Sequence, residues 1–129
     1  MLPFLIDLKT GDSPFRQVVY AATRAIVSGE MSAGAPFPSV RELSQELKIN
    51  PNTAHKIVAE LVRESLLEVI PGVGTIVSRP STDITHAQRQ SLSAAVEALI
   101  IEARRTGATK TELNAMITEQ WKQLFGAKS

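Results

Sequence analysis

The residues best equipped for chemistry lie between Asn50 and Lys56, in the run NPNTAHK. Asn50, Asn52, Thr53, His55 and Lys56 bring amide, hydroxyl, imidazole and ammonium groups. Such a set gives and takes hydrogen bonds and attracts negative charge. It does not pair a general acid with a base or a nucleophile. His55 and His86, the only two histidines, stand on separate elements with no clustered carboxylates beside them. Two histidines without further ligands at suitable spacing make no metal site. The absence of cysteine removes disulfides, thiolate zinc and thiol nucleophiles. Gly72-Val73-Gly74 is a turn signal, because no strand, glycine-rich loop and helix surround it as a phosphate-binding loop requires. Neither an enzyme nor a cofactor nor a metal centre is expected. The chemistry on offer is recognition.

Positioning these groups takes a helix. Apolar residues recur at Ala54, Ile57, Val58, Leu61 and Val62, which is helical spacing, so Asn52, Thr53, His55 and Lys56 face outward. Asn50 is the N-cap, and Pro51 presets the first turn. A second helix precedes it at once. Ser39-Val40-Arg41-Glu42 has the capping-box pattern, Val40, Leu43 and Leu47 turn inward, and Lys48-Ile49 ends the element. A short helix, a tight turn and a longer amphipathic helix form a helix-turn-helix.

The flanks complete a small domain. Ser13-Pro14 opens another helix, with Phe15, Val18, Val19, Ala22 and Ile26 on one face and Gly29 at its end. Before it, residues 1–12 end in the turn-like KTGD; after it, MSAGAPFP reads as an irregular connector with room for a short extended pairing at most. After Leu66-Leu67 the period changes. Apolar runs at 66–70 and 75–78 flank Pro71-Gly72-Val73-Gly74, which predicts a small β-hairpin. Pro80-Ser81-Thr82-Asp83 punctuates the end, giving a first domain of 1–80 and a second of 81–129. In the second, a helix is expected over 84–106, with Leu92, Val96, Leu99, Ile100 and Ala103 in one stripe and Gly107 at its close. A capping box at Thr109–Glu112 opens another to about Phe125, with Leu113, Met116, Ile117, Trp121 and Leu124 inward. The fold class is mainly α with a small β-hairpin.

Composition narrows the partners. Net charge is +1, and the halves are alike: eight Lys/Arg face eight Asp/Glu in 1–80, and six face five in 81–129. An acidic partner must therefore be held by local placement of charge, since the overall field is weak. The apolar start, Met1 to Ile6, meets Asp7 at once and has no basic flank or small-residue cleavage site. Neither a signal peptide nor a membrane span is expected, which fits a cytoplasmic location.

A helix-turn-helix followed by a hairpin is the winged-helix arrangement. The stretch PFPSVRELSQELKINPNTAHKIVAELVRESLLEVIPGVGTIV resembles the DNA-binding domain of the GntR family of bacterial transcription regulators. Upstream, SPFRQVVYAATRAIVSGEMSAGAPFPS is similar to that family's first helix and connector, and the short tail suggests its YtrA-like subfamily. The resemblance implies a winged helix-turn-helix on double-stranded DNA, followed by a two-helix antiparallel dimerisation tail. It implies a repressor acting as a homodimer on a palindromic operator, often of a transporter operon, with an unidentified small-molecule effector.

In such a protein the start of the second helix meets base edges in the major groove. Asn can offer a donor and an acceptor to adenine, and the Thr methyl can pack on a thymine methyl. The DNA-binding candidates are thus Ser39, Arg41, Asn50, Asn52, Thr53, His55 and Lys56, with Gly72, Gly74 and Thr75 on the wing. The resemblance puts Arg41 at the DNA surface, where guanidinium suits guanine or phosphate. Two departures weaken the grip: Val73 stands where many relatives have a basic residue, and Pro51 and His55 stand where some have arginines. The dimerisation candidates are Leu92, Val96, Leu99, Ile100, Leu113, Met116, Ile117, Trp121 and Leu124. The residues themselves leave alternatives open. Asn, Pro and Thr are good cap chemistry alone, Arg41 has Glu42 and Glu46 as nearby ion-pair partners, and the tail has its own winged helix to fold back upon. A winged helix also serves as a protein adaptor, though an adaptor favours apolar groups where this chain has Asn, Asn, Thr, His and Lys.

Overall fold

Each helix starts where a short polar side chain replaces a missing backbone acceptor. The computed structural model describes residues 2–79 and 83–126, in two units, Met1–Pro80 and Ser81–Ser129. Most of the expected Pro80–Asp83 punctuation, residues 80–82, lies outside the described residues.

In the first unit, α1 (Pro14–Ser28) is capped by Ser13, whose hydroxyl accepts from the Arg16 N–H at 3.1 Å. Its far end closes on Gly29, at φ 88°. Helix α2 (Val40–Leu47) begins with the expected box: the Glu42 N–H donates to the Ser39 hydroxyl at 3.1 Å, and the Ser39 N–H to the Glu42 carboxylate at 3.2 Å. Helix α3 (Pro51–Arg63) starts after Lys48, Ile49 and Asn50. Lys48 makes that turn in the left-handed region, at φ 54°, a conformation more natural to glycine or asparagine.

α3 is the centre of the unit, packing on α1, α2 and β1 (Leu67–Ile70). Its Ala54, Ile57 and Leu61 are buried with Val18, Ala22 and Ala25 of α1, Leu43 of α2, and Leu67. Val40, Leu47, Val58 and Val62 are half-buried around them. Strand β1 pairs antiparallel with β2 (Gly74–Val77), from Leu67 opposite Val77 to Ile70 opposite Gly74. The expected runs began one residue earlier and ended one later. Leu66 instead gives its N–H to the Leu61 carbonyl at 2.9 Å, and Gly74 joins the ladder opposite Ile70.

The two irregular segments contribute more than their sequences suggest. In the connector, Met31 and Phe37 are buried. It also pairs with β2: Gly34 N–H to Val77 O at 2.8 Å, Val77 N–H to Ala35 O at 2.9 Å, and Phe37 N–H to Thr75 O at 2.9 Å. The N-terminal segment alternates, with Phe4 buried and Leu2, Ile6 and Leu8 half-buried. Phe4 stacks on Phe37 with ring centroids 5.9 Å apart. Gln17 then clamps the segment to α1, its amide donating to the Lys9 and Asp12 carbonyls and accepting the Lys9 N–H at 2.8 to 2.9 Å.

The second unit holds α4 (His86–Arg105) and α5 (Lys110–Phe125), joined by Thr106–Thr109. So short a link makes them antiparallel neighbours. α4 starts two residues later than the expected 84 because Thr85 caps it, in a box with Gln88. The expected box at Thr109 and Glu112 forms. The Thr109 backbone N–H and hydroxyl hold the Glu112 carboxyl below its ordinary pKa. Neither helix buries a side chain among the described residues.

Candidate nucleic-acid interface

The start of α3 divides its polar groups between capping and display. Asn50 is committed: its side-chain oxygen accepts the Asn52 N–H at 2.7 Å. The amide NH2 of Asn50 remains available as a donor, but the paired donor and acceptor that suit adenine are broken up. Asn52 is exposed, and among the described residues its own amide makes no hydrogen bond. The paired donor and acceptor are therefore offered by Asn52, as its outward position leads one to expect. Thr53 is half-buried beside Ala54, whereas His55 and Lys56 are exposed. With Ala54, Ile57 and Leu61 inward, residues 52, 55 and 56 share the opposite face.

The cations divide in the same way. At the far end of α3, Arg63 binds Glu60 at 2.6 Å and Glu64 at 2.8 Å. The hydrogen bond to Glu60, then the charges of Glu60 and Glu64, push the Arg63 pKa up, and the bond to Arg63 lowers that of Glu60. Arg105 is engaged likewise with Glu102 at 2.6 Å. Arg41 and Lys56 are exposed, and neither holds a carboxylate among the described residues. Of the two neighbours offered for Arg41, Glu42 and Glu46, the first spends a carboxylate oxygen on the Ser39 N–H. Ser39 is exposed, and its hydroxyl serves the cap. Arg41 and Lys56 thus lie on the N-terminal halves of α2 and α3, whose starts also favour an anion, while Lys48, likewise exposed and without an ion pair among the described residues, sits in the turn between them.

The wing is different in character. Ile70-Pro71-Gly72-Val73 closes with the Val73 N–H on the Ile70 carbonyl at 3.0 Å, and Gly72 has φ 80°, the signature of a type II turn. Gly74 follows at φ 123°. Gly72 and Gly74 are exposed and Thr75 is half-buried, its carbonyl taken by Phe37. Residues 72–75 therefore offer fewer than four free peptide groups.

In the tail, Leu92, Val96, Leu99, Ile100, Met116, Ile117 and Trp121 are exposed, while Leu113 and Leu124 are half-buried. Trp121 lies against Phe125, ring centroids 5.2 Å apart. Among the described residues no helix is long and apolar enough to cross a membrane, and no group of three His, Cys, Asp or Glu is arranged to hold a metal.

The sequence already places Asn50 at the N-cap, and the bond to the Asn52 N–H is that cap. The Thr85 box is the cap the sequence reading lacks, although Thr85-His86-Ala87-Gln88 carries that signal openly.

The family model for bacterial regulatory proteins of the gntR family matches residues 15–77, the span from α1 through β2. A helix-turn-helix transcriptional repressor of Bacillus subtilis, YtrA, is 30% identical over 124 residues, 95% of each chain. YtrA from Sulfolobus acidocaldarius, a GntR-family transcription factor, superposes with a TM-score of 0.56 at 25% identity, covering 93% of this chain and 97% of that one. A Listeria monocytogenes transcriptional antiterminator superposes with a TM-score of 0.82 over 98% of this chain and 95% of its own. At 21% identity that likeness shows the fold alone.

Proposed function

This chain belongs to the gntR family of bacterial regulatory proteins, DNA-binding transcriptional regulators and not enzymes, and from that premise we propose that it represses transcription as a homodimer on a palindromic operator. The observation that carries the proposal is the pairing of two surfaces. Unit one presents Asn52, His55, Lys56 and Arg41, polar groups not engaged in ion pairs among the described residues. Unit two presents an apolar stripe with no buried side chain among the described residues.

In this reading Asn52 and Thr53 read base edges, Arg41 and Lys56 hold phosphates, and Ser39, Asn50 and His55 complete the major-groove face. The Gly72–Thr75 turn meets the flank. The tail joins two such units. Covering each large apolar side chain gains roughly 1.5–3 kcal/mol, and a two-fold partner is the simplest cover for Leu92, Val96, Leu99, Ile100, Leu113, Met116, Ile117, Trp121 and Leu124. An identity of 30% with a repressor over 95% of the chain supports repression over activation. The subfamily resemblance supports control of a transporter operon and response to a small effector. The groove of about 320 Å3 between α4 and α5 is lined by Val96, Leu99, Ile100, Leu113 and Ile117, residues assigned above to the partner, so an effector seated there would compete with dimerisation. The site of action is the bacterial cytoplasm.

Selection from random duplex DNA with the full chain tests the proposal. The expected product is a palindrome whose half-sites lie about one helical turn, or a multiple, apart. Leu99→Glu adds a charge to an exposed position, so the protomer keeps its fold while the dimer is lost in sedimentation and operator affinity falls. A Leu99→Glu protein that sediments as a dimer, or selection that returns no symmetry, would overturn the dimeric reading.

A further inference from the structure

We propose that residues 5–9 are a strand-pairing edge whose occupant is the same segment of a second copy, antiparallel, and that this contact couples repressor dimers bound side by side on DNA. The pairing stands on the N-terminal segment alone; its use on DNA rests on the function proposed above.

The segment has the form of a strand without a sheet. Burial alternates along it, with Phe4, Ile6 and Leu8 inward and Leu5, Asp7 and Lys9 exposed, the two-residue period of an extended chain. Yet among the described residues the backbone N–H and C=O groups of Leu5, Ile6, Asp7 and Leu8 make no hydrogen bond. Such groups stay unpaired only where water reaches them. A row of hydrated donors and acceptors on an extended chain is a template for another strand. Leu5, 92% exposed, adds apolar surface on the outward face.

Gln17 determines which edge is open. Lys9 gives its N–H to the Gln17 amide oxygen and takes the Gln17 NH2 on its carbonyl, both at 2.8 Å, so its backbone faces α1. Both groups of a strand residue point to one side, and successive residues alternate. Ile6 and Leu8 therefore aim theirs at the edge away from α1. An antiparallel strand added there bonds to Ile6 and Leu8. Asp7 and Lys9 are left at the non-hydrogen-bonded positions, where facing Cα atoms approach to about 4.5 Å.

Charge then selects the occupant and its register. Asp7 and Lys9 are exposed, and neither has an ion pair among the described residues. With Leu8 opposite the partner's Leu8 on a two-fold axis, Asp7 meets the partner's Lys9, and Lys9 meets the partner's Asp7. The segment is its own complement. Centring on Asp7 would set like charges directly opposite, which destabilises. Centring on Ile6 would set Asp7 against the partner's Leu5 and forgo both pairs.

A strand this short buries less than the roughly 1,000 Å2 of a stable interface, so it does not hold free protomers together in dilute solution. It acts between copies already brought close. Tail-joined dimers on neighbouring operators are such copies, at an effective concentration on the order of millimolar. A second two-fold contact on a molecule that already has one links dimers in pairs or rows. Occupancy of one operator then favours the next.

The test has two arms, both on the full chain. In the first, Asp7→Cys protein is mixed with Lys9→Cys protein and oxidised; the parent has no cysteine. Disulfides between the two variants should exceed their statistical share, because facing non-hydrogen-bonded positions lie within disulfide reach. A statistical mixture, or preferred linkage of Asp7→Cys to itself, overturns the pairing whether or not the protein binds DNA. In the second arm, duplexes carry one selected palindrome or two at varied spacing, and the ratio of two-site to one-site affinity is read. At a permitted spacing the second dimer should bind roughly tenfold tighter than the first. Asp7→Lys and Lys9→Asp should each abolish that gain, and the double variant Asp7→Lys/Lys9→Asp should restore it. A double variant that stays uncoupled, or independent binding at every spacing, overturns the coupling and leaves binding to one palindrome standing. Failure to select any palindrome refutes the DNA reading and the coupling together, and the first arm still decides the pairing.

Discussion

Salt dependence gives the sharpest test of the interface, because the chain supplies its own control. Arg41, Lys56 and Arg63 are all exposed cations of the helix-turn-helix, but only Arg63 is already neutralised, by Glu60 and Glu64. A cation that contacts a phosphate releases condensed counterions and contributes about 0.9 to the slope of log affinity against log salt. Arg41→Ala and Lys56→Ala should each flatten the slope by that amount, and the double variant by about twice as much. Over a fourfold rise in salt, one lost contact makes the fall in affinity roughly threefold to fourfold smaller. Neither substitution strands a partner carboxylate, so thermal stability should stay within about 0.5 kcal/mol of the parent. Arg63→Ala should leave the slope unchanged and instead free Glu60 and Glu64 at the end of α3. Fluorescence anisotropy on the selected duplex, titrated across the salt range, reads all four proteins. An unchanged slope for Arg41→Ala and Lys56→Ala removes those residues from the interface. A flattening with Arg63→Ala as large as theirs refutes the argument that committed and uncommitted cations differ.

Two further outcomes follow from the division of labour at the start of α3. Asn52→Ala should relax sequence preference by roughly 1–3 kcal/mol at one base pair, read as the ratio of affinities for the selected and a scrambled duplex; equal weakening on both would count against base reading. Asn50→Ala should cost about 0.5–2 kcal/mol of folding stability, whereas Asn50→Gly should cost only a few tenths. Urea melts check this, and an Asn50→Ala protein as stable as the parent would show that the Asn50 side chain does not cap.

Helix starts were legible in the sequence because caps are local chemistry. Ser13, Ser39, Asn50 and Thr109 each lie within three residues of the N–H they satisfy. The outward face of α3 was legible for a related reason, since Ala54, Ile57 and Leu61 state which side is inside. The N-terminal segment was not, because its order depends on Phe37, thirty-three positions further on, and on the Gln17 amide. A nearest-neighbour reading holds neither. The left-handed Lys48 was also hidden, as lysine is an ordinary helix residue and only the tight α2–α3 turn requires that φ. Within the candidate site, residue types marked where recognition happens but not which groups are free. Asn50 and Asn52 look alike in sequence, and one hydrogen bond of 2.7 Å separates their roles.

The stitching of connector to β2 has a mechanical consequence. Three backbone hydrogen bonds, from Gly34, Val77 and Phe37, tie the hairpin to the segment that leads into α2. The wing and the start of α2 are therefore one rigid caliper, not a finger hinged on a loop. A duplex that engages both jaws cannot open them to suit itself. Any mismatch in groove width or roll is taken up by the DNA, whose cost of bending depends on its base steps. Such a caliper would discriminate among operators at positions that no side chain touches, through the stiffness of the helix it holds.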